Sequence, residues 1–229
     1  MANYIKYSNT ELLQVLYNYN SLTFIAKIEL KKELLKRNLG LNTPYFIGLN
    51  DQIIKEMEEV KELKFLTDIG FNVSWFNENK SFEITRSIKA TIGDFIAIFV
   101  GLIFFIIGVY GLSGTFNYFY SDIQKNLLIL ILNGLLLVIG FFGFKVLFNG
   151  LNRFIEYKDF KFVLNKNQVI IRKRLDFKLQ QFERDANSLN ININEDQISL
   201  MSGDIGIIRT FSPSYRAKLS LEEIASYAQ

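Results

Sequence analysis

The stretch FIAIFVGLIFFIIGVYGL, residues 95–112, and its counterpart LLILILNGLLLVIGFFGFKV, residues 127–146, decide the fold of this chain. The first contains no charged residue, and the second is interrupted only by Asn133 and Lys145. At about 1.5 Å per residue, a helix of either length is roughly 27–30 Å long, which matches the hydrocarbon core of a bilayer. A buried helix of a soluble domain rarely stays apolar on every face over about five turns. We therefore predict a transmembrane hairpin over residues 91–148 rather than the core hairpin of a soluble protein.

The residues beside the two apolar runs predict their orientation. Aromatic residues typical of a membrane–water interface lie in or just before the connecting segment, residues 114–126: Tyr110, Phe116, Tyr118, Phe119 and Tyr120. The connecting segment offers one basic residue, Lys125, whereas the outer flanks carry Lys80, Arg86, Lys89, Lys145, Arg153, Lys158 and Lys161. Because basic residues near span ends stay in the cytoplasm, both termini are predicted to be cytoplasmic and the connecting segment external.

Composition excludes several classes of function. The chain of 229 residues contains no cysteine and no histidine, which excludes a thiol nucleophile, a disulfide framework, a histidine base and zinc or haem sites built on these residues. A net charge of +3, dispersed along the chain, does not predict nucleic-acid binding. The motifs of serine hydrolases, P-loop proteins and zinc proteases are missing from the sequence. We therefore predict no catalytic residue, no cofactor and no metal site.

The composition also bears on origin and location. The first residues, MANYIKYSNTELLQ, contain no apolar core of a signal peptide, so no cleavable signal is expected. Only two prolines, together with many Asn, Ile and Lys residues, are typical of proteins from AT-rich bacterial genomes. With the apolar runs, this predicts a multi-pass protein of a bacterial cytoplasmic (inner) membrane.

The chain before the first run is predicted to be helical. Ser8 and Glu11 form a capping-box pattern that opens a short helix. A second helix is expected from near Ser21 to a linker over 40–50, which begins with a glycine suited to a helix C-terminus. A third helix is predicted over about 52–67, with alternating charges on its solvated face.

Alternation with a period of two predicts strands on both sides of the hairpin. FNVSWF and SFEITRSI flank a turn at 77–80, and KDFKFVLN and QVIIRKRL follow the second run, whereas residues 176–190 remain unassigned. NININ, QISLMSG and DIGIIRTF predict further short strands, and Ser220 with Glu223 predicts a capping box for a terminal helix. Because a lone two-stranded hairpin is marginal in water, the strands at 71–88 and 158–211 are expected to join in one antiparallel sheet.

Two resemblances add to this interpretation. The order of hydrophobic hairpin, β-meander and closing helix resembles bacterial two-span inner-membrane proteins with a pleckstrin-homology-like cytoplasmic β domain. The first helices resemble N-terminal modules of membrane proteins of the Bacteroidetes, in an E-L-L-x-x-L and an E-L-x-K-R-x-L pattern at Glu11, Leu12, Leu13 and Leu16 and at Glu33, Leu34, Lys36, Arg37 and Leu39.

The predicted fold class is therefore an α+β integral membrane protein. It combines N-terminal helices, a two-helix transmembrane hairpin, and a cytoplasmic antiparallel β domain with strands from both sides of the hairpin. The predicted parts are, in chain order, a cytoplasmic helical region at 1–69, a β-hairpin at 70–90, the transmembrane hairpin at 91–148 with spans at about 93–113 and 126–148, and a cytoplasmic β-rich domain with a terminal helix at 149–229.

Small and polar residues in the spans predict helix packing. The candidates are Ala97, Gly101, Gly108, Asn133, Gly134, Gly140 and Gly143. The glycines suit close contact within the hairpin or between copies, although ordinary glycine use in membrane helices explains them equally well. A polar side chain in hydrocarbon is costly unless paired, so Asn133 marks either a helix–helix contact or a pathway.

Charged residues near the membrane surface predict a second candidate site. Lys158, Lys161, Arg172, Lys173, Arg174 and Lys178 are candidates for contact with anionic lipid headgroups. The alternative is that they form a solvated strand face with the usual positive-inside bias. Asp94 is expected at the start of the first span, where the helix dipole favours a carboxylate, and Lys145 is expected to extend toward the headgroups.

These observations predict a non-enzymatic membrane protein that acts as an adaptor or accessory subunit through its cytoplasmic domains. Its partners would be the lipid bilayer, other membrane or cytoplasmic proteins, or a second copy, with no nucleic acid. The alternatives are an oligomeric channel, transporter subunit or membrane effector, and a membrane enzyme that uses carboxylates.

Overall fold

The computed structural model describes residues 4–76, 81–120, 126–194, 196–210 and 214–227. It is a mixed structure of helices and antiparallel sheet. The helices are α1 Asn9–Tyr17, α2 Phe24–Arg37, α3 Pro44–Lys61, α4 Lys64–Asp68, α5 Ile88–Tyr120, α6 Leu127–Tyr157 and α7 Tyr215–Ser226. The strands are β1 Phe71–Phe76, β2 Ser81–Arg86, β3 Lys161–Asn165, β4 Gln168–Leu175, β5 Lys178–Asp185, β6 Leu189–Ile193, β7 Ile198–Ser202 and β8 Ile205–Thr210.

The N-terminal helices follow the predicted caps only in part. The capping box is confirmed, since the Ser8 amide donates to Glu11 Oε2 (2.7 Å) and the Glu11 amide donates to Ser8 Oγ (3.3 Å). The predicted linker over 40–50 is wrong, because α3 already begins at Pro44. Thr43 Oγ1 caps its first turn, and proline is favourable at the first helical position because its missing N–H would have no partner there.

The predicted helix over 52–67 is interrupted at Leu63. This residue has a φ of 55° and separates α3 from α4. A left-handed conformation is unfavourable for leucine. The Leu63 side chain is fully buried in the main core, and we attribute the break to this burial.

Strands from both sides of the helical hairpin form one antiparallel sheet in the order β1-β2-β3-β4-β5. β2 precedes the hairpin and β3 follows it, and their register pairs Ile84 with Phe162. This pairing was predicted. The expectation that all strands belong to one sheet is wrong, because β6, β7 and β8 form a separate three-stranded sheet. A short 3₁₀ turn at Ala186–Ser188, capped by Asp185, redirects the chain between the two sheets.

One buried cluster joins both sheets to α7. It contains Phe82, Phe162, Ile171, Leu200, Ile207 and Leu221 among its members. The terminal helix starts at Tyr215, where Ser214 Oγ accepts from the Ala217 amide (3.1 Å). The predicted cap at Ser220 is wrong, because Ser220 lies inside the helix and is fully buried. A second buried cluster holds α1, α2 and α3 together.

The two apolar runs form long helices, α5 of 33 residues and α6 of 31, and both are long and apolar enough to span a membrane. They extend beyond the predicted spans. Residues 114–120 of the predicted connecting segment are therefore helical and belong to α5. Lys80, Lys125 and the predicted turn at 77–80 lie outside the described residues. Large apolar side chains cover the outer surface of both helices, whereas most of their buried positions are glycines.

Candidate functional site

Glycines allow the backbones of α5 and α6 to approach closely. A Cβ atom added at Gly108 would lie under 3.0 Å from the Gly140 Cα, and one added at Gly101 would lie 2.5 Å from the Leu147 backbone nitrogen. A Cβ at Gly143 would lie 2.5 Å from the Phe104 Cβ. Real Cβ atoms essentially never approach so closely, so a side chain at any of these positions would force the helices apart.

The other predicted packing residues divide into two groups. Ala97 lies opposite Gly150, and Asn133 packs against Gly114 of α5, so its amide lies at the contact between the two helices. By contrast, a Cβ at Gly134 would meet nothing within 4 Å, so this glycine lies away from the contact. Gly111, Gly114 and Gly150 also lie at this contact, although they were not predicted. Because α5 and α6 are antiparallel and Gly108 faces Gly140, residues at equal distances from this pair, in opposite chain directions, also meet. Counting in this way places the three glycines at the contact.

A buried carboxylate joins the base of the hairpin to the sheet. Asp94 is only 4% exposed. Arg86 Nη2, at the end of β2, donates to its Oδ2 at 2.7 Å, and Arg153 Nε of α6 lies 3.1 Å from its Oδ1. Asp94 was expected in the first helical turn, stabilised by the helix dipole, but α5 begins six residues earlier, at Ile88. Two guanidinium groups therefore stabilise this carboxylate instead.

Arg86 is held from several directions. Its guanidinium carbon lies 5.3 Å from the ring centroid of Phe71 and 5.2 Å from that of Tyr157, within the range of cation–π contacts. Its Nη1 also donates to the Ile69 carbonyl oxygen at 3.2 Å. Through Arg86 and Asp94, strands β1 and β2 are connected to both long helices. We call Arg86, Asp94, Arg153 and Tyr157 the junction cluster.

A second buried ion pair lies beside the junction cluster. Lys173 of β4 is 2% exposed, and its ammonium donates to Glu156 Oε1 of α6 and to the Gly206 carbonyl oxygen, both at 2.7 Å. Burial lowers the pKa of Lys173, and the Glu156 carboxylate opposes this shift. The period-two alternation of β4 puts Lys173 on the same face as Ile171, toward the core. Its ammonium therefore cannot reach a lipid headgroup, contrary to the prediction.

Three of the remaining predicted headgroup contacts share the outer face of the sheet, because Lys161 pairs directly with Arg172 and Arg174 follows two residues later in β4. Headgroup contact by these residues stays a prediction. Lys161 pairs with Glu83 at 2.8 Å, and Arg174 pairs with Asp159 at 3.0 Å. Lys158 lies 5.7 Å from the ring centroid of Phe154. Arg172 is exposed on the outer face of the sheet and Lys178 is exposed beside the turn between β4 and β5.

A groove of about 1020 Å³ separates the last three turns of α6 from the turn between β4 and β5. We call it the sheet-side groove, and its lining includes Lys145, Asn149, Arg153, Arg174, Phe177 and Arg209. Of these, only Arg174 belongs to the predicted headgroup contacts. A sequence signal exists for four lining residues of α6, because Lys145, Asn149, Asn152 and Glu156 follow helical spacing and form one polar stripe.

The charged groups of the junction are paired with each other. Among the described residues, no group of three His, Cys, Asp or Glu side chains is arranged to hold a metal ion. The arrangement around Asp94 and Lys173 is one that fixes elements in place, since each charge is neutralised by a partner from a different element.

No protein-family model matches this chain, and no curated protein or solved structure matches it either. The resemblances to two-span proteins with a pleckstrin-homology-like domain and to modules of the Bacteroidetes therefore stay predictions.

Proposed function

We propose that this protein is a non-enzymatic adaptor or accessory subunit of a bacterial cytoplasmic membrane. The α5–α6 hairpin anchors it in the bilayer, and the sheets and N-terminal helices bind a partner on the cytoplasmic side. The observation that carries this proposal is the junction cluster. Because Arg86 and Arg153 hold the buried Asp94 from the sheet and from α6, the anchor and the β-rich part are joined without a flexible linker.

The exposed surface of the hairpin supports a membrane location. The most apolar windows of α5 and α6 both have a mean hydropathy of 2.7, and only 17% and 11% of these windows are buried. Monomeric soluble proteins rarely expose contiguous apolar patches above a few hundred Å², and a lipid environment removes this cost. The basic residues at the sheet end of the hairpin, including Arg86, Lys89, Arg153 and Lys158, favour a cytoplasmic β-rich part.

A second candidate is an oligomeric channel or transporter subunit. An apolar groove of about 330 Å³ runs along the hairpin beside Gly108 and Gly140, with Phe105, Leu112 and Phe144 among its lining residues. This apolar lining suits packing against a helix from another copy. Asn133 does not support a polar pathway, because its amide lies at the contact with Gly114 within one hairpin.

Gentle detergent extraction of the tagged protein at native expression, followed by size analysis and mass spectrometry, tests the two candidates. Stoichiometric copies of a different protein are the result expected for an adaptor. A homo-oligomer that conducts ions in liposomes would instead establish the second candidate. A monomer that recovers no partner after chemical crosslinking in cells would contradict the adaptor function.

A further inference from the structure

The sheet-side groove has the shape of a ligand site that opens along α6. Lys145, Asn149, Asn152 and Glu156 are spaced by four, three and four residues, which puts them on one face of the helix. This polar stripe starts within the second apolar run, 127–146, and continues to the end of α6. The groove therefore begins at the level of the apolar run and ends at the sheet, with a volume at the upper end of common ligand sites.

The charges around the groove favour an anion. Its lining contains four basic and two acidic side chains: Lys145, Arg153, Arg174 and Arg209 against Glu156 and Asp176. Glu156 is already neutralised by the buried Lys173. Within the described part of the chain, no carboxylate pairs with Lys145 or Arg209 at 4.0 Å or less, so both cations are available to a ligand. Guanidinium groups bind phosphate oxygens through paired, directional hydrogen bonds.

The turn at the rim of the groove carries an unexpected residue. Asp176 and Phe177 form the two-residue turn between β4 and β5, and both have positive φ values, 48° and 65°. Such turns favour asparagine and glycine, and a bulky side chain in this conformation is an outlier. The Phe177 side chain is nevertheless 75% exposed, so burial in the core does not explain its presence.

Apolar residues of α6 lie on the same rim as Phe177. Phe148 and Leu151 line the groove and are 53% and 41% exposed. An aromatic ring at a membrane–water interface settles between headgroups and acyl chains. The rim thus offers apolar contacts next to the cations, which is the chemistry of an amphipathic ligand and not of a free ion.

We propose that the sheet-side groove binds an anionic phospholipid, with the headgroup attracted to the cations Lys145 and Arg209 that line the groove and the acyl chains in contact with Phe177, Phe148 and Leu151. This inference rests on the membrane location proposed above. The bound lipid ties the turn between β4 and β5 to the membrane surface and so fixes the orientation of the sheet relative to the bilayer.

The test measures lipid binding to the purified full chain in detergent by native mass spectrometry, with phosphatidylglycerol and phosphatidylcholine as probes. The groove variant is Lys145→Gln with Arg209→Gln, which leaves no acidic partner unpaired. The matched control is Lys6→Gln with Lys166→Gln, which removes two exposed cations elsewhere. We expect the groove variant to lose roughly 30-fold in affinity for phosphatidylglycerol, with the control unchanged. Equal binding by both variants would overturn the proposal.

Phe177→Asn separates a ligand role from a structural one. Asparagine suits the positive φ, so the thermal stability of the lipid-free protein should stay equal or rise, while phosphatidylglycerol binding weakens several-fold. Unchanged lipid binding in this variant would remove Phe177 from the site and contradict the proposal.

Two further measurements distinguish lipid binding from a site for free phosphate and test the membrane location separately. Inorganic phosphate that displaces phosphatidylglycerol at equal millimolar concentration would show a site for the free ion, which contradicts lipid binding. Recovery of the protein in the soluble fraction of cells would instead refute the membrane location, whatever the groove binds.

Discussion

At the scale of single residues, the unusual feature is a buried carboxylate held by two guanidinium groups. Asp94 is almost fully buried, Arg86 is largely buried, and Arg153 is half exposed. A buried charge that loses its partner is costly, whereas a half-exposed charge is solvated by water. The two arginines should therefore contribute unequally to stability, although both contact the same carboxylate.

We predict that Asp94→Asn lowers the free energy of unfolding by about 3 kcal/mol, because it leaves the guanidinium of Arg86 without its anion. Arg153→Gln should cost less than about 1 kcal/mol, since its side chain is 51% exposed. Thermal unfolding in detergent measures both changes, with Lys218→Gln in an exposed ion pair as the control. Equal losses for Asp94→Asn and Arg153→Gln would contradict this account of the junction cluster.

A pH dependence follows from the lowered pKa of Lys173. Between this lowered value and the ordinary value near 10.5, the unfolded chain binds more protons than the folded protein. The free energy of unfolding therefore rises with pH in this window. At pH values below the window, Lys173 is protonated in both states, so the cost of burying its ammonium stays constant. Relative to Lys173→Met, which has no such proton, the native protein should gain thermal stability as the pH approaches 10.5. A stability difference that does not change with pH would contradict the shift.

At the scale of elements, the contact between α5 and α6 depends on where each glycine lies on the helix. The glycines at 101, 108, 140 and 143 lie where the backbones meet, while Gly134 lies in open space. Sequence spacing does not separate the two groups, because the rotation of α6 relative to α5 is needed to do so.

Gly108→Ala and Gly134→Ala form a matched pair of variants. At Gly108 the added methyl group would collide with the Gly140 Cα, so we expect a loss of about 1–3 kcal/mol. At Gly134 it would meet nothing within 4 Å, and the higher helix propensity of alanine should leave stability equal or slightly raised. Thermal unfolding in detergent measures both. Similar effects at the two positions would show that this helix contact is wrong.

At the scale of the whole molecule, the hairpin is an insertion between two paired strands. β2 and β3 are neighbours in the sheet, although 74 residues from Ser87 to Phe160 separate them in the chain. The sheet must therefore lie at the open end of the hairpin, on the opposite end from Tyr120 and Leu127. If the hairpin crosses a bilayer, these two ends lie on opposite sides of the membrane.

The natural absence of cysteine makes this topology directly measurable. We predict that Asn117→Cys reacts with a membrane-impermeant maleimide in intact bacterial spheroplasts, whereas Lys166→Cys in the turn between β3 and β4 does not. Both should react after permeabilisation, which is the control for accessibility. Labelling of Lys166→Cys alone in intact spheroplasts would reverse the proposed orientation, and labelling of both would contradict a spanning hairpin.

Features that depend on nearby residues were predictable. The two apolar runs, the capping box at Ser8 and most strands follow from local hydropathy, hydrogen bonding and alternation. Apart from the pairing of β2 with β3, features that depend on distant contacts were not. The break at Leu63 needed knowledge of which side chains the core buries. The start of α3, by contrast, has a local signal that the prediction overlooked, the Thr43 cap followed by Pro44.

The sequence by itself determined that the chain has two helices long and apolar enough to span a membrane, flanked by helical and β-rich parts, because these properties are sums over neighbouring residues. Only the tertiary structure decided that the strands divide into two sheets, that Lys173 is buried, and that Arg86 and Arg153 neutralise Asp94. It also brought Lys145, Phe177 and Arg209 to one groove. The physical reason is that burial and charge pairing act through space, between residues that the chain separates by tens of positions.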